Sequence, residues 1–456
     1  MSDRCPARAA RWAAITAFGL ALAARAPFAL GPGFGADPDS WLLAESARDI
    51  AERGHWVPSR PPGYPLVEFG LAPLIRYGPT ATNLASASWT ALAAALGAAW
   101  LARRGVRHAW ALPTAAAALP ALALPAASTL DHGWALALLI GAVAALDGSP
   151  HSARRTPAGR PRRAHLVSGF LFGLACAARP PVAIAAPALL WQCRRAGAKH
   201  GVVAFAMGSL PGALCVAAAV ARCTYWPKPL TGAGDWLGLR HVVQVAGPGA
   251  FGAVGLITVA LLVVTADFAL GGRAGRGRDA LNAADAAPPP LTFAPAGGIA
   301  ALSLAEFVAF PLEPNYLGPT LFFAALWLAP RVRPRLALAA TLALHLGGLV
   351  SFDTRGPCAG PWRKDRWARR TQVEQIDEAV RALAAFADDR ADRADRAVHV
   401  ISGTSTAALR YSARGLRVTW HATLSEAERS TLRARGEEVL WLADLRAAPA
   451  TGRPTQ

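Results

Sequence analysis

The chain has 456 residues, of which 53% are hydrophobic and only 17% are charged, and its mean hydropathy is positive. This composition excludes an ordinary soluble domain and is typical of a membrane protein with several spans. The net charge is +18, but most of the excess lies before residue 353, in short basic segments between apolar runs. Such segments mark the cytoplasmic side and contact anionic lipid headgroups, so we expect membrane lipids and no nucleic acid as partners.

Apolar runs follow one another from the N-terminus to about residue 350. A helix needs roughly 20 residues to cross the hydrocarbon, and shorter runs between the long ones predict tight hairpins. The sequence therefore predicts about eleven transmembrane helices, the first of them retained and not a cleaved signal peptide. The long runs begin near Trp12, Thr80, Ala109, Gly201, Pro248, Phe293, Tyr316 and Leu336, and the short ones cover 133–146, 166–177 and 182–191.

Lysine and arginine in the connecting segments predict the orientation, because short basic loops stay in the cytoplasm. With about eleven spans, all the basic loops fall on one side of the membrane. The loops at 31–78, 127–132, 223–247 and 311–315 then fall on the other side. We expect a multi-pass protein of the plasma (cell) membrane with a cytoplasmic N-terminus.

After about residue 352 the chain alternates helical and strand patterns. An amphipathic helix over 371–389 is followed by strand patterns at 397–402, 416–422 and 438–445, with helical segments between them. This order predicts a small α/β domain over 353–456, outside the cytoplasm and separate from a membrane domain. The domain has no Gly-rich phosphate loop or nucleophile elbow, so we expect it to be a scaffold, an acceptor-docking module or a lid. A linker over 275–290 is expected in the cytoplasm.

Two acids, Asp37 and Asp39, stand at the mouth of the first predicted span. They precede SWLLAESARDIAERG, whose pattern predicts an amphipathic helix along the membrane surface that ends at Gly54. A Pro-rich return, SRPPGYPL, follows. Asp39 could simply be the N-cap of the surface helix, since Asp is a favoured cap. Asp37 could be a solvated loop acid, and a lone pair of this kind does not make a metal site.

An acid pair after the first helix, a surface helix and a PPGYPL return resemble the GT-C membrane glycosyltransferases. The resemblance extends in particular to the branch with the dolichyl-phosphate-mannose–protein mannosyltransferases and their bacterial lipid A and cell-envelope relatives. GLACAARPPVAIAAPALLW (173–191) is similar to that family's Arg-Pro-Pro hairpin, and LEPNYLGPTLFF (312–323) is similar to its late loop. Two departures stand out: Pro38 separates acids that are often adjacent in the family, and Asn315 stands where the family has arginine.

The resemblance implies a mainly α, polytopic GT-C-like catalytic domain over residues 1–352. It implies transfer of a hexose or pentose from a polyprenyl-phosphate donor to an envelope lipid, glycan or protein acceptor at the outer face, with inversion. An acceptor hydroxyl needs a carboxylate to take its proton; the resemblance assigns that role to Asp39, and Asp37 would orient the acceptor. No cofactor is required, although Asp37 and Asp39 could hold a divalent cation.

The same resemblance assigns the donor phosphate to Arg179, Arg60 and Tyr64. Arg179 lies between two apolar half-spans, where a charge is costly and usually functional. Its alternative is snorkelling to the nearby surface, and the alternative for Arg60 is an ordinary interfacial cation. The acceptor pocket would be lined by Asp131, His132, Glu313, Asn315 and Tyr316, although a short turn explains the first two equally well and an interfacial anchor explains the tyrosine.

Two other classes remain as alternatives. A secondary transporter or lipid flippase usually shows internal repeats and polar groups near the middle of the membrane. Here the polar candidates cluster on the outer side, and no repeat is visible. A non-catalytic protein of envelope assembly is disfavoured by the acid pair and by Arg179.

Overall fold

The computed structural model describes residues 6–147, 160–195, 199–223, 245–274, 294–309, 314–353, 356–388, 398–401, 406–413, 418–421, 424–435 and 437–441. Within these ranges the protein is mainly α-helical. The predicted linker over 275–290, most of the loop at 223–247 and the candidate Glu313 lie outside the described residues.

The first part of the chain forms eight helices within the described residues. The bounds are α1 Pro6–Ala29, α2 Pro38–Arg53, α3 Pro65–Leu71, α4 Pro79–Arg103, α5 Ala111–Ala118, α6 Pro120–Ala126, α7 His132–Leu146 and α8 Arg160–Ala178, with a 3-10 turn at Ile75–Tyr77. Of these, α2 corresponds to the amphipathic helix predicted from the sequence, and α3 belongs to the predicted Pro-rich return.

Further helices follow from residue 180 to residue 349. They are a 3-10 helix at Pro180–Ala185, α9 Ala186–Arg195, α10 Lys199–Arg222, a π turn at Val245–Gly249, α11 Ala250–Ala274, α12 Ala294–Ala309, a 3-10 turn at Pro314–Leu317, α13 Gly318–Leu328 and α14 Pro334–Leu349.

Three described helices, α1, α4 and α10, are long and apolar enough to cross a membrane, and five more are apolar but shorter. The run that begins near Ala109 differs from the prediction, because it forms two short helices. Leu119 is extended there, with φ −62° and ψ 142°. Pro120 follows it and lacks the N–H that a continuous helix would need. By length and composition the described helices fit a membrane protein, and the total of about eleven spans stays a prediction.

Glycines bring α8 and α10 into close contact. A Cβ on Gly169 would overlap the backbone of Phe205, and one on Gly212 would overlap the backbone of Gly173. Small residues at spacings of four are the usual way in which helix backbones approach each other in a membrane. This packing fixes the end of α8, directly before Arg179.

The C-terminal part contains the alternating strands and helices that the sequence predicts. An antiparallel hairpin spans the predicted boundary at residue 352, and the following helix begins at Pro361, ten residues earlier than predicted. The elements are β1 Val350–Asp353, β2 Gly356–Ala359, α15 Pro361–Asp388, β3 Val398–Ile401, α16 Thr406–Ser412, β4 Val418–His421, α17 Glu426–Ala434 and β5 Glu438–Trp441. The last three strands form a parallel sheet in the order β4-β3-β5.

The C-terminal elements pack on the membrane part through a shared core and polar contacts. Ile376 and Leu409 belong to the same buried cluster as Phe34. Arg48 on α2 donates to the carbonyl oxygen of Tyr411 at 2.9 Å. Arg410 on α16 lies 3.2 Å from a Glu45 carboxylate oxygen. These contacts attach the C-terminal part of the chain to the surface helix α2.

Candidate active site

Four charged side chains form a continuous ion-pair network. Nε of Arg60 lies 3.0 Å from Oδ2 of Asp39, and its Nη2 donates to Oδ1 of Asp131 at 3.0 Å. Nη1 of Arg179 donates to the other Asp131 oxygen, Oδ2, at 2.7 Å. The order is therefore Asp39–Arg60–Asp131–Arg179, with two carboxylates and two guanidinium groups.

The network is buried at one end and open at the other. The side chain of Asp131 is fully buried and that of Arg179 is 7% exposed, whereas Asp39 is 34% exposed. Burial by itself raises the pKa of the Asp131 carboxyl, but the charges of Arg179 and Arg60 outweigh it and hold the pKa well below its ordinary value of 3.8. For Arg60, burial lowers the pKa, while Tyr64, Asp131 and Asp39 together raise it above its ordinary value. Asp39 is thus the carboxylate that a substrate can reach.

Aromatic rings lie against both guanidinium groups. Arg60 stacks over the ring of Tyr64 at 4.0 Å, and Arg179 stacks over that of Tyr316 at 4.8 Å. Such contacts favour the charged form and fix the plane of the guanidinium. Tyr64 and Tyr316, both selected from the sequence, therefore belong to the same cluster as the four charged residues.

His132 extends the cluster on its buried side. Its Nδ1 lies 3.7 Å from Oδ1 of Asp131, which is too long for a hydrogen bond. Both ring nitrogens are buried and have no hydrogen-bond partner within the described residues. The side chain is 7% exposed, so it faces the network and not the bulk solvent.

The first turns of α4 hold the two loops that carry the acids. Nδ2 of Asn83 donates to the carbonyl of Gly33 at 3.0 Å, and its Oδ1 accepts from Thr129 Oγ1 at 2.8 Å. Oγ of Ser86 donates to the carbonyl of Leu130 at 3.0 Å. Because one helix fixes both loops, Asp39 and Asp131 come together although they are far apart in the sequence.

A buried acid, Glu68, holds the loop that carries Arg60. Its Oε1 accepts from the backbone N–H and the hydroxyl of Ser59, at 2.7 and 2.6 Å, and its Oε2 accepts from Nε1 of Trp56 at 2.7 Å. The side chain is fully buried. These bonds order the loop directly before Arg60, so the position of the guanidinium depends on them.

The structure assigns the helix cap to the other acid of the pair. Asp37 is the N-cap of α2, and its side chain accepts from the backbone N–H of Asp39 at 2.9 Å. The alternative in which Asp39 caps the helix is therefore wrong. Gly54 ends the same helix with φ +63°, as the sequence predicts.

The alternatives to a functional role for the two arginines, snorkelling and an ordinary interfacial cation, are also wrong. A snorkelling Arg179 would reach the surface, but the residue is 6% exposed and paired with Asp131. An ordinary interfacial cation would be exposed, but Arg60 is 13% exposed and contacts two carboxylates. Both guanidinium groups are built into the cluster.

Asn315 lies beside the cluster and not within its ion pairs. It is buried in the 3-10 turn that carries Tyr316. No group of three or more His, Cys, Asp or Glu side chains with the geometry of a metal site occurs in the part of the chain that the structure describes. The expectation that no metal is needed stays a prediction.

Sequence reasoning missed the residues that position the cluster. A stripe of polar residues runs along one side of the otherwise apolar helix α4, and it was the signal that could have identified them. The stripe consists of Thr82, Asn83, Ser86 and Thr90. Glu68 gave a similar signal, as an acid on a short apolar return. Both signals become specific only when the partner loops are known.

Comparison with known proteins gives one structural likeness. No family model and no curated protein matches the chain. The crystal structure of ArnT from Cupriavidus metallidurans bound to undecaprenyl phosphate is similar, with a TM-score of 0.48 and 14% sequence identity, over 94% of this chain and 88% of that chain. A likeness of this degree assigns neither a family nor a function to the chain.

Proposed function

We propose that the chain is a membrane glycosyltransferase of the GT-C type. It transfers a sugar from a polyprenyl-phosphate donor to an envelope lipid, glycan or protein acceptor at the outer face of the plasma membrane. The observation that carries the proposal is the ion-pair network, in which an accessible carboxylate, Asp39, is joined to two buried guanidinium groups. A base for a hydroxyl and cations for a phosphate are the two parts that such a transfer needs.

The position of the network suits a lipid-borne substrate. In the chain, its residues lie close to the ends of α1 and α8 and to the beginnings of α4 and α7. Four apolar helices therefore each have one end near the network. A polyprenyl chain in the bilayer can bring its phosphate to such an edge. A transporter or flippase would instead place its polar groups near the middle of the membrane.

In the proposed reaction Asp39 acts as the general base. The acceptor hydroxyl oxygen attacks the anomeric carbon from the face opposite the phosphate, and its proton passes to the Asp39 carboxylate. The bond between the anomeric carbon and the phosphate oxygen breaks, and its electron pair stays on the lipid phosphate. The product has the inverted configuration, and the phosphate leaves without protonation.

The two arginines stabilise the phosphate. Nη1 of Arg60 is buried without a hydrogen-bond partner within the described residues, so it can donate to a phosphate oxygen. Asp131 holds Arg60 and Arg179 in a fixed orientation, so little reorganisation is needed when charge develops on the leaving group. A phosphate bound to Nη1 leaves the contact between Nε and Asp39 in place, so one guanidinium holds the base beside the leaving group.

The test is the rate of the Asp39→Asn variant. The full chain is reconstituted in proteoliposomes with undecaprenyl-phosphate-linked hexoses and pentoses, and the release of undecaprenyl phosphate is measured with an envelope extract as acceptor. Asp39→Asn keeps the size of the side chain and should lower kcat by about 10²–10⁴. Asp49→Asn, ten residues further along α2 and 3.6 Å from Arg53, lies outside the ion-pair network; it is the matched control and should keep the wild-type rate. A folded Asp39→Asn protein with a near-wild-type rate contradicts the role of Asp39.

A further inference from the structure

A cavity of about 230 Å³ is lined by residues that are close in the chain to the candidate site. Three of these lining residues are chain neighbours of the ion-pair network or of Tyr316, which stacks on it. Leu130 directly precedes Asp131, Asn315 directly precedes Tyr316, and Asp37 caps the helix that begins with Pro38 and Asp39. Consecutive Cα atoms are about 3.8 Å apart, so the backbone that forms this part of the cavity wall is close to the backbone that carries Asp39, Asp131 and Tyr316.

The size and lining of the cavity select one class of ligand. Pockets for drug-sized molecules have roughly 300–1,000 Å³, so this cavity suits a single small ring and not a lipid chain. Its polar groups are the carboxylates of Asp37 and Asp365, the amide of Asn315 and the hydroxyl of Ser128. Prolines, leucines, alanines and one glycine form the remaining wall. A sugar ring combines an edge of hydroxyls with an apolar face in the same way.

Asp365 is the one carboxylate of this cavity that comes from the C-terminal part of the chain. Nε and Nη2 of Arg369 both donate to its Oδ2, at 2.7 and 2.5 Å, while Oδ1 receives no hydrogen bond from any described residue. Arg369 is almost fully buried, and its Nη1 donates to the carbonyl of Ala127 at 2.7 Å. The carboxylate is therefore held rigidly, with one oxygen left for a ligand.

We propose that this cavity is the subsite for one monosaccharide ring, whose hydroxyls are recognised by Asp37, Asn315 and Asp365. This inference rests on the proposed function and adds the residues that determine which sugar is recognised. The ring belongs either to the donor or to the acceptor, since the same hydroxyl chemistry occurs in both. The C-terminal part of the chain, which has no catalytic motif, then selects the sugar through α15.

The test measures sugar preference separately from transfer. The full chain in nanodiscs is titrated with bare undecaprenyl phosphate and with undecaprenyl phosphate linked to each of several hexoses and pentoses. If the ring is the donor's, wild type binds one sugar-bearing lipid more tightly than the bare lipid. Asp365→Asn keeps an oxygen for Arg369 but turns the second acceptor into a donor, and it should reduce this preference about tenfold or more. Affinity for the bare lipid should not change.

A second variant and a matched control show whether a loss of sugar preference is specific to the cavity or results from misfolding. Ala121→Leu adds bulk at another lining residue of the cavity without changing a charge, and it should abolish the same preference. Asp377→Asn makes the same substitution at an exposed site three turns further along α15 and should leave the preference at its wild-type value.

An acceptor arm separates the two sources of the ring. If the ring is the acceptor's, the donor lipids show no preference, and methyl glycosides instead bind to the donor-saturated protein and lose binding in Asp365→Asn and Ala121→Leu. The inference is overturned if wild type shows no sugar preference in either arm, or if both variants keep it. Failure of the proposed function looks different, because no donor would then support transfer whatever the sugar binding.

Discussion

At the scale of single residues, the two carboxylates of the ion-pair network have different roles. Asp131 is buried and gives both of its oxygens to guanidinium groups, so it can orient but not accept a proton. Asp39 has one guanidinium contact and remains open to solvent. Both acids and both arginines were candidates from the sequence, through the resemblance to GT-C glycosyltransferases and, for Arg179, through its position between two apolar half-spans. It could not assign these tasks, because exposure and pairing depend on contacts across the fold.

The phosphate role of Arg179 is tested by donor kinetics. Arg179→Ala removes a charged hydrogen-bond donor, so we expect the KM for the polyprenyl-phosphate sugar to rise about tenfold or more, with a smaller change for the acceptor. Breaking a buried pair also costs about 3–5 kcal/mol of stability. Arg179→Lys, which keeps the charge, should therefore be compared with it, and the exposed Arg76→Ala is the control. Wild-type donor KM and kcat in a folded Arg179→Ala protein show that the residue is only structural.

The pH profile tests the assignment of Asp131. A carboxyl with a depressed pKa contributes stability that is present above its unfolded value of 3.8 and is lost only as the pH falls further, through the folded value. Asp131 is therefore ionised throughout an assay range of about pH 5–8. We expect Asp131→Asn to lower the rate and the thermal stability but to retain an acid limb in the kcat/KM profile. Complete loss of the acid limb in that variant means that Asp131 itself titrates.

At the scale of elements, the site is assembled by a few close helix contacts. The polar stripe at the start of α4 fixes two loops, and the glycine contact between α8 and α10 fixes the end of α8. Periodicity in the sequence predicted most of these helices, since apolar runs and prolines mark them. It did not predict the break at Leu119, because the same run also carries Pro113 and Pro125, which lie within α5 and α6, and the sequence does not show which proline divides the run.

The contact between α8 and α10 gives a test at this scale. Gly212→Leu places a side chain where the backbone of Gly173 lies, so the helices must separate and Arg179 must move. We expect a loss of several °C in thermal stability in detergent, together with a loss of donor binding. Gly19→Leu on α1, where nothing lies within 4 Å of the added Cβ, is the matched control. Unchanged donor binding in Gly212→Leu means that this contact does not position Arg179.

At the scale of the whole molecule, the C-terminal part belongs to the site more closely than its sequence suggests. Its alternating strands and helices were predictable from hydrophobic periodicity. Its attachment was not, because Arg369, Arg410 and Tyr411 look like ordinary helix residues until their partners on α2 and after α6 are known. The orientation in the membrane and the total number of spans stay predictions from the basic loops.

The central claim is that the chain moves a sugar from a polyprenyl phosphate, and the most direct measurement is a profile of lipid-linked sugars in cells. A strain that lacks the protein is complemented with wild type, with Asp39→Asn or with the control Asp49→Asn, all expressed at equal levels. We predict that one polyprenyl-phosphate sugar accumulates, and that one envelope glycan loses a residue, in the deletion strain and in the Asp39→Asn strain only. Identical profiles in all of these strains contradict the claim.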